Sequence, residues 1–176
     1  LKHISKDNLE KNISVSGIFK LKLNKINFDL LVINSDDTSV SRRFWNDNYT
    51  DFSLEKWSNW CQEEGLYIDV GAHTGLYTLA ALISNKNNRL VSLEPFSLNY
   101  HRIITNLRLN NFNNTNVKLL NVAVSDCNKV VKFDVKTPWS YLSKGGKINN
   151  QGVDIQAIKL DSLNFVDNEI KIKGIK

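Results

Sequence analysis

Cysteine and proline are scarce in this sequence, and the scarcity narrows the class of protein. The 176 residues include two cysteines and two prolines. Cys61 and Cys127 do not have the spacing of metal ligands, and two cysteines do not make a disulfide framework. We therefore expect a reduced, cytoplasmic setting and no metal site. Low-complexity linkers and internal repeats are also missing from the sequence.

Long apolar runs and stripes of basic residues are missing as well. The longest stretch without Lys, Arg or Glu lies around Leu66–Ser84, and it carries Asp69, His73 and two glycines, so it does not predict a membrane span. The formal net charge is +5, but the lysines are spread along the chain without interleaved aromatic residues. We therefore predict no nucleic-acid partner. No signal peptide is visible.

The composition is that of a globular domain, with 41% hydrophobic and 23% charged residues. A chain of this length buries about 70% of its unfolded surface, which is enough for one core. The sequence begins with Leu1 rather than Met and ends inside an apparent strand, so we interpret it as part of a longer protein. We divide it into an N-terminal hairpin and helix over 1–65 and a ligand-binding domain over 66–176.

The chain is organised around the stretch Leu66–Ser84, which reads LYIDVGAHTGLYTLAALIS. Its first five residues make a short apolar run that predicts a buried strand. The next five, Gly71-Ala72-His73-Thr74-Gly75, predict a tight turn. Apolar residues then recur at helical spacing, which predicts a helix. Strand, glycine turn and helix in this order form the ligand-binding corner of a doubly wound α/β sheet.

Asp69 indicates which ligand this corner binds. It lies two residues before Gly71, where dinucleotide-binding turns of the form G-x-G-x-x-G hold a pyrophosphate. Two like charges about 6 Å apart, at an effective dielectric of about 20, cost roughly 3 kcal/mol. A cationic ligand reverses the sign. S-adenosyl-L-methionine carries an ammonium and a sulfonium and has no phosphate, so it suits Asp69. The alternative role for Asp69 is a cap on the following helix.

Glu94 supports the same kind of site. It follows the predicted strand Arg89–Leu93, about 20 residues beyond the glycine turn, where such folds place an acid against ribose hydroxyls. Two hydrogen bonds to the carboxylate would contribute roughly 1.5–3 kcal/mol each. Glu94 alone does not distinguish S-adenosyl-L-methionine from NAD, because both carry that ribose. Asp69 and Glu94 together favour the methyl donor.

These motifs resemble the FkbM family of S-adenosyl-L-methionine-dependent methyltransferases. The likeness begins with Asp69–Gly75 and continues in Leu93-Glu94-Pro95-Phe96, Asn99 and Asn106. It extends through the segments Asn121–Asp126 and Lys159–Leu163.

The resemblance, which covers about Leu66 to the end of the sequence, implies an α/β, doubly wound Rossmann-like methyltransferase sheet, and local patterns predict a β-hairpin and a helix before it. It also implies methyl transfer to a hydroxyl of a sugar, glycolipid or secondary metabolite. In the family a lysine-ending strand continues into I-D-x-E-G, and Ile172–Lys176 resembles the start of that strand. We therefore expect an incomplete sheet without its fourth and later strands, and the catalytic residues stay unassigned. The expected cofactor-binding residues are Asp69, Gly71, Ala72, His73, Thr74, Gly75, Glu94, Pro95, Phe96 and Val122.

The flanking elements are predicted from shorter patterns. Alternation over 19–23 and 26–32 predicts a hairpin, and the segment Asn34–Ser39 that follows reads as a loop. Ser53 is a plausible cap of a helix that ends at Gly65. Val130–Val135 and Val153–Leu160 are expected to pair as antiparallel strands. The polar segment between them, Thr137–Gln151, is expected to form a loop over the site or at an edge.

Two other functions remain open at this point. An NAD-dependent oxidoreductase or epimerase would use the same fold, although Asp69 and the missing G-x-G-x-x-G pattern argue against it. A non-catalytic binding module would need only the glycine turn. His73 could act as a base or orient a substrate, or it could simply contact the cofactor or cap the helix.

Overall fold

The structure, a computed structural model, describes residues 13–23, 26–46, 49–112, 116–134, 147–163 and 171–176. The predicted hairpin turn at Asn24-Lys25 and most of the predicted loop Thr137–Gln151 lie outside these residues. The strands are β1 (Gly17–Leu23), β2 (Ile26–Val32), β3 (Leu66–Val70), β4 (Arg89–Leu93), β5 (Val117–Leu120), β6 (Ala123–Val124), β7 (Lys129–Asp134), β8 (Lys147–Asn149), β9 (Val153–Ile158) and β10 (Ile172–Ile175). The helices are α1 (Thr38–Trp45), α2 (Phe52–Trp60), α3 (Leu76–Ser84) and α4 (Ser97–Leu109).

A parallel sheet of order β10-β3-β4-β5 forms the centre of the fold. The chain passes from β3 through α3 to β4 and through α4 to β5, and β10 then adds to the other side of β3. This order confirms the predicted α/β, Rossmann-like class and places a topological switch point between β3 and β10. Our expectation that the fourth strand is missing was wrong, because β10 is that strand.

The two faces of the sheet pack differently because side chains alternate along each strand. Tyr67 and Leu90 belong to a large apolar cluster that includes residues of α3 and α4. Ile68 and Leu93 point the other way and pack against a smaller group that includes Val122. Asp69 and Ser92 alternate with these apolar residues and face α3, where both bond Thr78.

The segment before the sheet contains two helices rather than the single predicted one. Asp37 caps α1 by accepting a hydrogen bond from the Val40 N–H, so the predicted loop ends at Asp37. Asp51, not Ser53, caps α2 through the Leu54 N–H. Helix α2 ends at Trp60, so Gly65 does not terminate it.

Two asparagines of α4 attach the hairpin to the sheet. Asn106 accepts the Leu31 N–H at 2.8 Å, and Asn110 accepts the Asp29 N–H at 2.8 Å. Asn106 and Asn110 lie one turn apart on α4, so their side chains reach the backbone N–H groups of two alternate residues of β2. Leu21, Phe28 and Leu30 of the hairpin belong to the same core cluster as Tyr67. The boundary proposed at residue 65 therefore does not separate two cores, and it stays a prediction.

A small second sheet has the order β6-β9-β7-β8 and contributes Val124 and Ile158 to the apolar cluster on the side of the central sheet away from the helices. The predicted antiparallel pairing of β7 with β9 is confirmed. Residues 147–149 of the predicted loop form β8. Among the described residues no helix is long and apolar enough to cross a bilayer.

Candidate functional site

The turn between β3 and α3 holds three residues with positive φ: Gly71 at 72°, His73 at 54° and Gly75 at 87°. A Cβ on Gly71 would meet nothing within 4 Å, whereas one on Gly75 would lie 3.1 Å from the Ile103 side chain. Glycine is therefore needed at Gly71 for conformation alone and at Gly75 for close packing as well. Histidine is one of the few other residues that adopt this conformation at modest cost.

The N–H groups of the turn are largely bonded within the protein. Gly71 and Ala72 both donate to the carbonyl of Leu93, at 2.8 and 3.0 Å. Gly75 donates to the Ala72 carbonyl at 2.8 Å, and His73 donates to Glu94 Oε2 at 2.8 Å. A phosphate bound through the N–H groups of Gly71, Ala72 or His73 would have to break these bonds. These three donors at the start of the turn are therefore already occupied.

Glu94 is buried, with 5% of its surface exposed, and clasps the turn to the start of α4. Its Oε2 accepts the His73 N–H, its Oε1 accepts the Phe96 N–H at 2.9 Å, and Asn99 adds a third hydrogen bond. Burial raises the pKa of Glu94 above its ordinary value despite these bonds. A carboxylate offers about four acceptor positions, so about one remains for a ligand. The two ribose bonds expected from the sequence exceed that number.

Asp69 is fully buried at the end of β3. Its Oδ2 accepts a hydrogen bond from Thr78 Oγ1 at 2.8 Å, and Thr78 also bonds Ser92 at 2.7 Å. Its Oδ1 lies 3.3 Å from Lys176 Nζ and has no hydrogen-bond partner among the described residues. Asp69 does not cap α3, because Gly75 occupies the N-cap position without a side-chain bond. One carboxylate oxygen is thus left facing the switch point.

The ammonium of Lys176 offsets the charge of Asp69, so Asp69 repels a pyrophosphate less strongly than the sequence alone suggests. The surroundings nevertheless stay acidic. Asp36, which pairs with Arg102 at 2.8 Å, and Asp37 lie beside the turn, as does Glu94. Four carboxylates against the two cations Arg102 and Lys176 leave a formal excess of two negative charges, which still favours a cationic ligand.

Thr74 ties the turn to the N-terminal segment. Its hydroxyl donates to Asp37 Oδ2 at 2.6 Å, and its carbonyl accepts from Asn106 Nδ2 at 2.8 Å. Asp37 uses its other oxygen to cap α1. Thr74 was predicted to bind the cofactor, but its hydroxyl donates its hydrogen bond within the protein.

A cleft of about 210 Å³ lies between the turn and the segment 36–39, at the switch point of the sheet. The predicted residues Ala72, His73 and Thr74 line it. The other lining residues were not predicted, because the pair Asp36-Asp37 has no motif around it and Tyr77 looks like part of an ordinary helix face. These further lining residues are Asp36, Asp37, Thr38, Ser39, Leu76, Tyr77 and Lys176.

His73 lines this cleft and has one ring nitrogen without a partner among the described residues. Its Nε2 is buried and, within the described parts of the chain, has no hydrogen-bond partner. Burial lowers the pKa of His73 below its ordinary value of 6.5, and the nearby Lys176 and Arg102 lower it further, against the opposing pull of Asp37 and Asp69. The imidazole is therefore neutral at pH 7 and can accept a proton or a hydrogen bond.

The remaining predicted residues lie near the turn or behind the sheet, and none lines the cleft. The carbonyls of Glu94 and Pro95 accept hydrogen bonds from Asn121 Nδ2, which ties β5 to the end of β4. Phe96 is half-buried at the N-cap of α4. Val122 packs with the apolar cluster on the side away from the helices.

No protein-family model matches the chain, and no curated protein matches it in sequence. Solved structures with a similar fold include an S-adenosylmethionine-dependent methyltransferase from Agrobacterium tumefaciens. It has 10% identity and a TM-score of 0.45 over 64% of this chain and 34% of that one. Another is TYW2 of M. jannaschii in complex with S-adenosylmethionine, with 16% identity and a TM-score of 0.39 over 61% of this chain and 44% of that one.

A third similar structure is the tRNA m1G37 methyltransferase of M. jannaschii. It has 14% identity and a TM-score of 0.39 over 65% of this chain and 35% of that one. The chain spans less than half the length of each of these three proteins. At TM-scores below 0.5, these likenesses do not by themselves assign a function to it.

Proposed function

We propose that the chain is the cofactor-binding part of an S-adenosyl-L-methionine-dependent methyltransferase. The observation that carries the proposal is the hydrogen bonding of the glycine turn. The N–H groups of Gly71, Ala72 and His73 are bonded inside the protein, while among the described residues His73 Nε2 has no hydrogen-bond partner and Asp69 Oδ1 has only its ion pair with Lys176. A pyrophosphate needs donors, whereas a ligand with an ammonium and ribose hydroxyls supplies them.

The residues present fit this cofactor group by group. Asp69 Oδ1 suits the ammonium, and the open space beside Gly71 admits a ligand close to the backbone. The acceptor position that remains on Glu94 suits one ribose hydroxyl. Pro95, Phe96 and Val122 stay candidates for the adenine end. The cofactor, when bound, supplies the electrophilic methyl group.

The protein's own contribution is to hold donor and acceptor in line, which supplies roughly 7–11 kcal/mol of the barrier reduction. Among the residues that line the cleft, His73 carries a neutral imidazole and can take the proton of an acceptor hydroxyl. The finer assignment to FkbM-like O-methylation of a sugar, glycolipid or secondary metabolite rests on the resemblance of Asp69–Gly75 and Leu93–Phe96. A cytoplasmic location rests on the scarcity of cysteine.

Calorimetric titration with S-adenosyl-L-homocysteine and with NAD tests the proposal. We expect the first to bind and the second not to. Asp69→Asn and Glu94→Ala should each weaken binding about 10- to 150-fold, which corresponds to the loss of one charged hydrogen bond of about 1.5–3 kcal/mol. Asp126→Asn, at an exposed acid near the second sheet, is the matched control and should bind as the unmodified chain does.

Each alternative function predicts a different result in the same titration. Binding of NAD without S-adenosyl-L-homocysteine would favour the oxidoreductase. Binding of neither ligand would favour the non-catalytic module. Unchanged affinity in both the Asp69 and Glu94 variants would contradict the site itself.

A further inference from the structure

Lys176 lies at the carboxyl end of β10, and its backbone is fixed on both sides. Its N–H donates to the Ile68 carbonyl at 2.9 Å, and its carbonyl accepts the Val70 N–H at 3.0 Å. These two bonds belong to the parallel ladder with β3. Only the side chain, which is 31% exposed, is therefore free to move.

Three groups surround the ammonium of Lys176, and each of them attracts a cation. Its Nζ lies 3.3 Å from Asp69 Oδ1, 3.5 Å from the Gly71 carbonyl oxygen and 4.5 Å from the centroid of the Tyr77 ring. A carboxylate, a carbonyl and an aromatic face together form a cage for an ammonium group. The same cage borders the cleft at the switch point.

We propose that Lys176 occupies the ammonium subsite of the ligand, and that its side chain must swing out when the ligand binds. This inference rests on the proposed function, because the amino-acid end of S-adenosyl-L-methionine carries an ammonium of the same chemistry. Two ammonium groups repel each other and cannot share one cage. Lys176 therefore sets the affinity for ligands that carry this group and leaves ligands without it unaffected.

The test compares two ligands and three chains by calorimetric titration. S-adenosyl-L-homocysteine carries the ammonium, whereas methylthioadenosine lacks the whole amino-acid end. If Lys176 fills the cage about nine-tenths of the time, Lys176→Met should raise the affinity for S-adenosyl-L-homocysteine about tenfold. The affinity for methylthioadenosine should be unchanged. Lys173→Met is the matched control, because Lys173 lies on the same strand and pairs with Glu63 on the surface. It should change neither affinity.

The outcomes separate this inference from the proposed function. Weaker binding of S-adenosyl-L-homocysteine to Lys176→Met would overturn it, because Lys176 would then be holding the ligand's carboxylate. Equal affinity in the variant and the unmodified chain would overturn it as well. Failure of the unmodified chain to bind either ligand would instead contradict the proposed function.

A second measurement needs no Lys176→Met protein, which could lose stability because it leaves Asp69 unpaired. Lysines labelled with carbon-13 by reductive methylation report their surroundings by NMR. The Lys176 signal, identified by its loss in Lys176→Arg, should be shifted upfield by the Tyr77 ring. It should move to the position of an exposed lysine when S-adenosyl-L-homocysteine is added. A signal that stays upfield in the complex would contradict the exchange.

Discussion

The two faces of the central sheet are built from different chemistry. On the face toward the helices, Asp69, Ser92 and Thr78 lie fully buried among apolar neighbours and bond one another. On the opposite face, Ile68 and Leu93 pack in an apolar cluster. Burying polar groups costs stability unless each is paired, and among the described residues Asp69 Oδ1 has only its ion pair with Lys176.

The difference predicts that stability and ligand binding separate by face. Substitutions of Ile68 and its buried neighbours on the apolar face, apart from the adenine candidate Val122, should change the free energy of unfolding alone. Substitutions on the helix face should change binding, stability or both, according to whether the group faces the cleft.

Ile68→Ala should cost about 2–5 kcal/mol of stability, because the fully buried side chain lies in the apolar cluster and its removal leaves a cavity. Urea unfolding measures this, and the affinity of the folded protein for S-adenosyl-L-homocysteine should be unchanged. Val130→Ala, at a side chain that is 61% exposed, is the control and should have little effect. A loss of affinity with little loss of stability would contradict the division between faces.

Asn106→Ala should destabilise the protein by about 1–3 kcal/mol for each partner that it leaves unpaired. Those partners are the Leu31 N–H and the Thr74 carbonyl. Asn110 is less buried than Asn106, so Asn110→Ala should lower the stability by a smaller amount. Thermal unfolding compares the two variants. Equal losses of stability would contradict the larger role that we assign to Asn106, which bonds both the hairpin and the glycine turn.

The two glycines of the turn should respond differently to alanine. Both substitutions place a side chain at positive φ, which costs about 1–2 kcal/mol. Gly75→Ala also crowds Ile103, so it should lower stability more. Gly71→Ala points a methyl group into open space and should weaken ligand binding more. Calorimetric titration and unfolding of both variants measure the two effects. If Gly75→Ala weakened binding more than Gly71→Ala, the ligand would have to bind elsewhere.

The smallest effect concerns pH. Burial lowers the pKa of His73 in the folded chain, so its contribution to stability is present above the ordinary value of 6.5 and is lost as the pH falls through the folded pKa. Glu94 acts in the opposite direction: its raised pKa means that stability is lost as the pH rises from 4.5 through the folded pKa. His73→Asn keeps a residue suited to positive φ and should flatten the loss of stability below pH 6.5. An unchanged pH profile of unfolding would mean that His73 is not the titrating group.

Local patterns in the sequence predicted the central part of the fold. Periodicity over Leu66–Ser84 identified β3, the turn and α3, because each depends on neighbouring residues. Helix α1 was missed because it spans only eight residues and because Asp37, which caps it, is itself held by Thr74. A bond between residues 37 positions apart leaves no local pattern.

Local patterns also locate part of the candidate site, because Asp69, Gly71 and Glu94 lie at the ends of predicted strands. The hydrogen bond from the His73 N–H to Glu94 was not predicted. The approach of Lys176 to Asp69 depends on where β10 enters the sheet, which the spacing of residues does not reveal. The bonds that occupy Glu94 were equally hidden, because its donors are backbone N–H groups rather than recognisable side chains.

The most direct measurement is a nitrogen-15 NMR titration of the chain with S-adenosyl-L-homocysteine. We expect the amide signals of Gly71, His73 and Phe96 to shift most, because these residues lie at the carboxyl ends of β3 and β4. The signals of β7 and β9, in the second sheet, should stay in place. Shifts confined to the second sheet, or no shifts at saturating ligand, would contradict the assignment of the glycine turn as the cofactor site.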